Sequence, residues 1–405
     1  MKHRGLMFAI LYCATTCMSF SQFKIVPILG QLTADLGITT AESSWMMSVF
    51  TVAAIILAIP IGGIVAKFGP KKPYIIVLSI MVIGNVIGAF SLNNYPLLLF
   101  SRILEGCAFA IWNVAGVVLV NMWYPGKNNG LFIGIFMTFA AIASFIMLNA
   151  AVPITQALGT ASLWWIVAGL TLVFTILFAL FVKEPEAEAA DAQATSASTA
   201  EKPSLSRIFT NKAVMALCVS LCVSQLVIGF VLYFFLNNYP TLFTGCYALD
   251  ATTANFYGSM GGLWGVPFCI LGGFILDKLG KGGTPKLAIF CYILLFITCG
   301  VSSILVSPLF LVHTLFIAGF TGLILTSNNY LVPKCVDRPQ DTGFGMGVLT
   351  LFYNIGIFIG SPIILYAVEG TGNWMFAAII LAAMAAIGFL ATIVYISQAK
   401  KHQAS

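Results

Sequence analysis

Three ionisable side chains stand inside long apolar runs of this sequence: Lys24, Arg102 and Glu105. A titratable ring, His313, stands inside another. A charge in the middle of an apolar helix costs on the order of 3 kcal/mol on insertion scales, so each such group marks a candidate functional position. Their types allow two kinds of chemistry. Lys24 and Arg102 can hold an anion through charge-assisted hydrogen bonds. Glu105, the only acid within these runs, and His313 can each carry a proton. Arg102 and Glu105 are spaced i, i+3 and share one helical face, which Phe109, Trp112 and Asn113 continue. The charges of Lys24, Arg102 and Glu105 sum to +1, which suits a small anion. Each group also has a plainer reading. Lys24 can stretch its amine to an interface, Arg102 and Glu105 can be a structural pair, and His313 can be hydrogen-bonded for packing. An enzyme would need a convergent nucleophile, base or metal cluster. The chain has three histidines, and His3 and His402 lie in its tails, so none is predicted.

The elements that must position these groups follow from composition. Of 405 residues, 60% are hydrophobic and 8% charged, whereas soluble domains carry roughly a quarter charged residues. The apolar residues come in blocks of about twenty, the length a helix needs to cross a bilayer. Barrel strands would alternate and run only about ten. The predicted spans are helix 1 at 6–29, helix 2 at 44–66, helix 3 at 74–92, helix 4 at 96–120, helix 5 at 131–153 and helix 6 at 163–182. Helix 7 is predicted at 213–239, helix 8 at 255–276, helix 9 at 287–306, helix 10 at 309–331, helix 11 at 343–367 and helix 12 at 374–397. The acidic, Ala/Ser/Thr-rich stretch between helices 6 and 7 reads as a flexible linker. The domains are therefore 1–183, a cytoplasmic linker at 184–212, and 213–405.

The net charge of +6 does not indicate nucleic acid, because the cations alternate between loops. Every Lys and Arg except Lys24 and Arg102 falls in the tails or in every second loop, which places both termini in the cytoplasm. Trp45, Tyr95, Trp164, Trp165 and Trp374 then form an outer aromatic belt. With these directions Lys24, Arg102 and Glu105 share the outer half of the membrane. The basic N-terminus opens a block too long for a signal peptide and is read as helix 1. Most of the ten cysteines lie in apolar blocks as small hydrophobes, with Cys246 alone in an outer loop. Cys13/Cys17 and Cys218/Cys222 lack His or acid partners, so no metal site and no cofactor is expected. Gly280-Lys281-Gly282-Gly283-Thr284 lacks the G-K-[ST] ending of a phosphate loop.

The halves repeat. Lys24 and Asn237 each stand three residues before a proline, Pro27 and Pro240. The loop after helix 2 reads Gly62-Gly63-Ile64-Val65-Ala66-Lys67-Phe68-Gly69, and that after helix 8 reads Gly273-Phe274-Ile275-Leu276-Asp277-Lys278-Leu279-Gly280. Helices 4 and 10 both end in an asparagine followed by a proline, Asn121 to Pro125 and Asn329 to Pro333. Repeated halves are the architecture of secondary transporters.

At these residues the chain resembles the major facilitator superfamily. Its loop motif, G-x-x-x-D-[RK]-x-G-[RK]-[RK], is matched by Gly62, Lys67, Gly69, Lys71 and Lys72, with Ala66 in place of the acid, and by Gly273, Asp277, Lys278, Gly280 and Lys281. Arg102 to Gly106 is similar to its R-x-x-[QE]-G motif, and Trp123-Tyr124-Pro125 to its W-[FY]-P segment. The resemblance implies an all-α membrane protein of twelve transmembrane helices in two pseudo-symmetric six-helix bundles. It implies that helices 1, 4, 7 and 10 line a cavity, and that Asp277 latches the start of helix 5 near Gly130.

The resulting expectation is a secondary active transporter of a small anion, a carboxylate foremost, working by alternating access with proton coupling or exchange. Lys24, Arg102, Trp112, Asn113, Tyr233, Asn237, Tyr353 and Asn354 are the candidate substrate contacts, and Glu105 and His313 the candidate proton carriers. Gly62, Gly69, Gly273, Asp277 and Gly280 form the gating motif. The protein is expected in the plasma (inner) membrane as a multi-pass monomer. Two rivals stand beside this reading. One is a multidrug or metabolite exporter, whose helix 5 usually carries a Gly-Pro element absent from 131–153. The other is a non-transporting sensor, which usually carries an added soluble domain.

Overall fold

The computed structural model describes residues 3–58, 60–124, 138–184, 212–331 and 342–404, with Phe132, Ile135 and Phe136. Secondary structure among them is entirely helical. Eleven of the described helices are long and apolar enough to cross a membrane. The twelfth expected span, helix 8, is the first part of Ala251–Gly300, which kinks at Gly280, φ 60° and ψ −165°, before helix 9. Helix is forced on these segments because lipid offers no partner for backbone N–H and C=O groups.

Prolines shape the spans differently from their sequence positions. Helix 1 runs as Arg4–Phe23, tightens to a 3-10 turn at Val26–Ile28 around Pro27, and resumes at Leu29–Leu36. Helices 5 and 7 were expected to stop at Pro153 and before Pro240. They continue to Leu158 and Tyr247 with the prolines inside them. At Pro240 the missing N–H frees the Leu236 carbonyl one turn earlier, and the Thr244 hydroxyl donates to the proline's own carbonyl at 2.9 Å. The longer helix 7 also corrects Cys246, which is helical rather than in a loop and donates its thiol to Ser303 O at 3.6 Å.

Several ends are capped by design of the sequence. Asn94 accepts from Leu97 N at 3.1 Å to start helix 4, with Pro96 in the first turn. Asp250 accepts from Thr253 N at 2.9 Å to start helix 8, and the Thr253 hydrogen bonds hold its carboxyl below the usual range. Helix 3, Lys71–Phe90, follows Gly69 at φ 74°, a conformation glycine adopts without a Cβ clash. Glu184 accepts from Lys71 N at 2.7 Å.

The described residues form two compact units. One holds the chain to Leu36 and from Val49 through helix 6, and the other holds Gly37–Ser48 with helices 7 to 12. The first packs Leu11, Met18, Tyr74, Leu78, Trp123 and Phe178 into its core. The second packs Val227, Phe234, Tyr239, Tyr292, Phe310 and Leu381. Thr40–Ser48, which opens helix 2, belongs to the second. Ala41 N donates to Glu369 Oε2 at 2.9 Å, and Trp45 packs tilted against Phe358 with ring centres 5.6 Å apart.

In the first unit glycines bring backbones together. A Cβ at Gly106 on helix 4 would collide with the Phe50 carbonyl of helix 2. A Cβ at Gly84 on helix 3 would stand 2.8 Å from Glu105 N. This is the small-residue packing by which membrane helices approach closely. Gly106→Ala is expected to destabilise the detergent-solubilised protein by about 1–3 kcal/mol. Gly169→Ala, with nothing within 4 Å, is expected to be neutral or to stabilise by up to about 1 kcal/mol. Equal melting temperatures for the two variants would contradict the close approach of helices 2 and 4.

Candidate functional site

Helix 4 is not one continuous α-helix. It runs Tyr95–Gly106, tightens at Ala108–Ala110, widens to a π-turn at Trp112–Gly116, and resumes at Val117–Trp123. π-turns often mark functional positions. The stripe expected to run from Arg102 to Asn113 on one face is therefore interrupted after Gly106. Helix 1 breaks just after Lys24, and helix 2 turns to 3-10 at Val49–Thr51, beside Phe50. The three breaks surround one cluster of charge.

Lys24, Arg102 and Glu105 meet there, each with 0% of its surface exposed. Glu105 Oε2 receives three donors. They are Arg102 NH1 at 2.5 Å, Ser21 Oγ at 2.7 Å and Lys24 Nζ at 3.0 Å. Glu105 Oε1 receives none and is fully buried. Arg102 also donates to the carbonyls of Ser21 at 2.6 Å and Gln22 at 3.2 Å, the chain just before the break in helix 1. Its guanidinium lies 4.6 Å over the Phe50 ring. Lys24 Nζ donates to Asn85 Oδ1 on helix 3 at 2.5 Å and lies 4.6 Å over the Trp164 ring of helix 6. Such cation–π contacts strengthen where water is excluded. Lys24 is thus an interior ion-pair partner and does not stretch to the interface. Its charge is shared with Glu105, while the cluster as a whole keeps the formal +1 of two cations and one carboxylate.

Two contributors escaped the sequence reading. Asn85 is fully buried in the last third of helix 3, and a lone amide in an apolar span was its only signal. Trp164, assigned to the outer belt, is fully buried, whereas its neighbour Trp165 is 46% exposed. A tryptophan pair at a helix start marks an interface but does not say which ring turns inward.

The remaining candidates distribute as follows. Trp112 is half-buried and packs against Phe109 and Phe139. The side chain of Asn113 lies outside the described residues. In the second unit Tyr233 meets Tyr353 edge-on at 5.8 Å. Asn237 and Asn354 are buried, and the Oδ1 of each has no partner. His313 is buried between Phe235 and Tyr239. Its Nδ1 pairs with Tyr239 OH at 3.1 Å and its Nε2 with Thr298 O at 3.1 Å. Both ring nitrogens are thereby held by packing partners. Gly69 and Gly280 sit at positive φ, 74° and 60°. The surroundings of Gly62 and Gly273, the side chain of Asp277 and the region of Gly130 lie outside the described residues. Among the described residues no group of three His, Cys, Asp or Glu comes together to hold a metal ion.

A buried ionic cluster at the breaks of apolar spanning helices, in a chain of two helical units, defines a polytopic membrane transporter. The family model of the Major Facilitator Superfamily matches residues 11–338, and the chain belongs to that superfamily. Among relatives, a probable galactarate/D-glucarate transporter of Bacillus subtilis is 24% identical, over 95% of this chain and 90% of its own. The bacillibactin exporter of the same organism is 27% identical over 95% of both. A probable sulfoacetate transporter of Cupriavidus necator is 22% identical over 89% and 86%. The fold matches a bacterial homolog of the human lysosomal transporter Spinster, in an inward-facing and occupied conformation. The TM-score is 0.72 at 14% identity, covering 99% and 97% of the two chains.

Removing the carboxylate leaves two buried cations facing each other, whereas removing Lys24 leaves a neutral Arg102–Glu105 pair. Glu105→Gln is therefore expected to cost on the order of 3 kcal/mol of stability, and Lys24→Met to cost little. Thermal unfolding of the two purified variants checks the order. A more stable Glu105→Gln would contradict the shared ion pair.

Proposed function

We propose that this transporter is a secondary active carrier of a small organic anion, a carboxylate, working by alternating access in the plasma (inner) membrane. The observation that carries the reading is the fully buried cluster of Lys24, Arg102 and Glu105 with its net positive charge. An enclosed +1 favours an anion, and Lys24 with Arg102 supplies the charge-assisted donors a carboxylate takes. Relatives named for galactarate/D-glucarate and sulfoacetate support the anionic class. Glu105 is the proposed proton carrier, because its Oε1 has no donor and can accept a proton. Neutralising it would release Lys24 and Arg102 to the substrate, which would couple proton and anion movement. The contacts His313 makes to Tyr239 and Thr298 leave it second to Glu105 in that role. Trp112, Asn113, Tyr233, Asn237, Tyr353 and Asn354 are proposed as further substrate contacts. Both termini are proposed to be cytoplasmic, supported by the loop cations, and the carrier to work as a monomer.

Export is the second reading, favoured by the match to the bacillibactin exporter along nearly the whole chain. Flux into and out of liposomes carrying the purified protein separates the two. We expect galactarate, D-glucarate or sulfoacetate to accumulate under an inward proton gradient, while a neutral polyol does not. Loss of a charged hydrogen-bond donor costs roughly 1.5–3 kcal/mol. Lys24→Ala should thus reduce uptake about tenfold to a hundredfold. Uptake of neutral or cationic solutes only, or normal uptake by Lys24→Ala, would contradict the proposal.

A further inference from the structure

We infer that Asn85 determines the charge of the substrate, by satisfying Lys24 without cancelling it. This rests on the anion-carrier reading above and names a residue that reading does not contain. Lys24 Nζ has two oxygen partners, the carboxylate of Glu105 at 3.0 Å and the amide of Asn85 at 2.5 Å. Only the first carries charge. The Asn85 amide is held in its orientation by its own two donations, to Met81 O at 2.8 Å and to Ser21 Oγ at 3.3 Å. Those bonds turn Oδ1 toward Lys24. Ser21 Oγ in turn donates to Glu105 Oε2 at 2.7 Å. A closed ring results, Lys24–Asn85–Ser21–Glu105, in which a single member is anionic.

The backbone leaves Asn85 little freedom to do otherwise. Gly84 lies against the Glu105 nitrogen, and a Cβ at Gly88 would collide with the Trp164 ring. Helix 3 is thereby pressed onto helices 4 and 6 on both sides of position 85. A buried ammonium needs acceptors wherever it sits. A neutral acceptor at this position meets that need and preserves the +1. An aspartate, nearly the same shape, would also accept from Lys24 and bring the cluster to zero, while losing the two donations of the amide. The amide is therefore a positioning residue for Lys24 that also sets the charge left for a ligand.

The test is a charge relocation. Purified wild type, Asn85→Asp, and Asn85→Asp combined with Glu105→Gln are compared for binding of galactarate, D-glucarate and sulfoacetate, and for thermal stability. Binding is read directly, so loss of proton coupling at position 105 does not interfere. Asn85→Asp is expected to weaken binding about tenfold or more while still folding, at a melting temperature lowered by the loss of the amide's two donations. The double variant returns the cluster to +1 and is expected to recover binding to within a few-fold of wild type. Recovery is the outcome a merely structural role for Asn85 would not produce. If wild type binds an anion and Asn85→Asp binds it equally well, the role of Asn85 is refuted and the anion-carrier reading stands. If wild type binds none of the three, the anion-carrier reading fails and this inference falls with it. If Asn85→Asp does not fold, the double variant decides alone: binding supports the inference and no binding overturns it. Failure of both to fold also overturns it, since the added carboxylate is required to be accommodated by Lys24.

Discussion

A carboxylate that has left water must be surrounded by donors, and Glu105 meets that demand with two cations from two helices. Burying isolated charges costs several kcal/mol each even after relaxation. Without Glu105, Lys24 and Arg102 would be two buried cations with no counter-charge. Helices 1 and 4 are therefore tied at one depth, with Arg102 reaching the carbonyls of Ser21 and Gln22 where helix 1 is about to break. Much of the first unit can be understood as the means of enclosing this group. Gly84 and Gly106 bring helix 3 and helix 2 onto helix 4, and the rings of Phe50 and Trp164 cover the two cations.

The enclosure is asymmetric in a way that matters for transport. One carboxylate oxygen takes every donor and the other takes none. A fully satisfied ion pair would be a structural staple with little to exchange. In the proposed reading, the spare acceptor takes the proton and the uncancelled positive charge takes the anion. The breaks in helices 1, 2 and 4 beside the cluster fit the same account. Broken spans are tolerated in membranes where protein or polar groups enclose the freed backbone, and they give a helix a place to bend.

The charged members of this site were legible in the sequence because charge in an apolar span is expensive and rare. So was the number of spans, which follows from hydrocarbon thickness. Asn85 and Trp164 were not legible. Neutral amides and indoles occur in spanning helices for many reasons, and only tertiary packing brings these two to Lys24. Proline was misleading in one direction. It breaks helix 1 at Pro27, yet Pro153 and Pro240 lie within continuous helices, and the amino acid alone does not distinguish the cases. The interruption of helix 4 was also hidden, because the spacing from Arg102 to Asn113 reads as an unbroken stripe. Nothing in the sequence separates Thr40–Ser48 from the remainder of helix 2, although it packs with the second unit.

The most direct measurement is a structure of the protein with galactarate bound. The account predicts a substrate carboxylate within about 3 Å of Lys24 Nζ or the Arg102 guanidinium, with at least one of those donors drawn off Glu105. A bound anion elsewhere, with Lys24, Arg102 and Glu105 still paired as they are here, would contradict the claim that this cluster is the anion's seat.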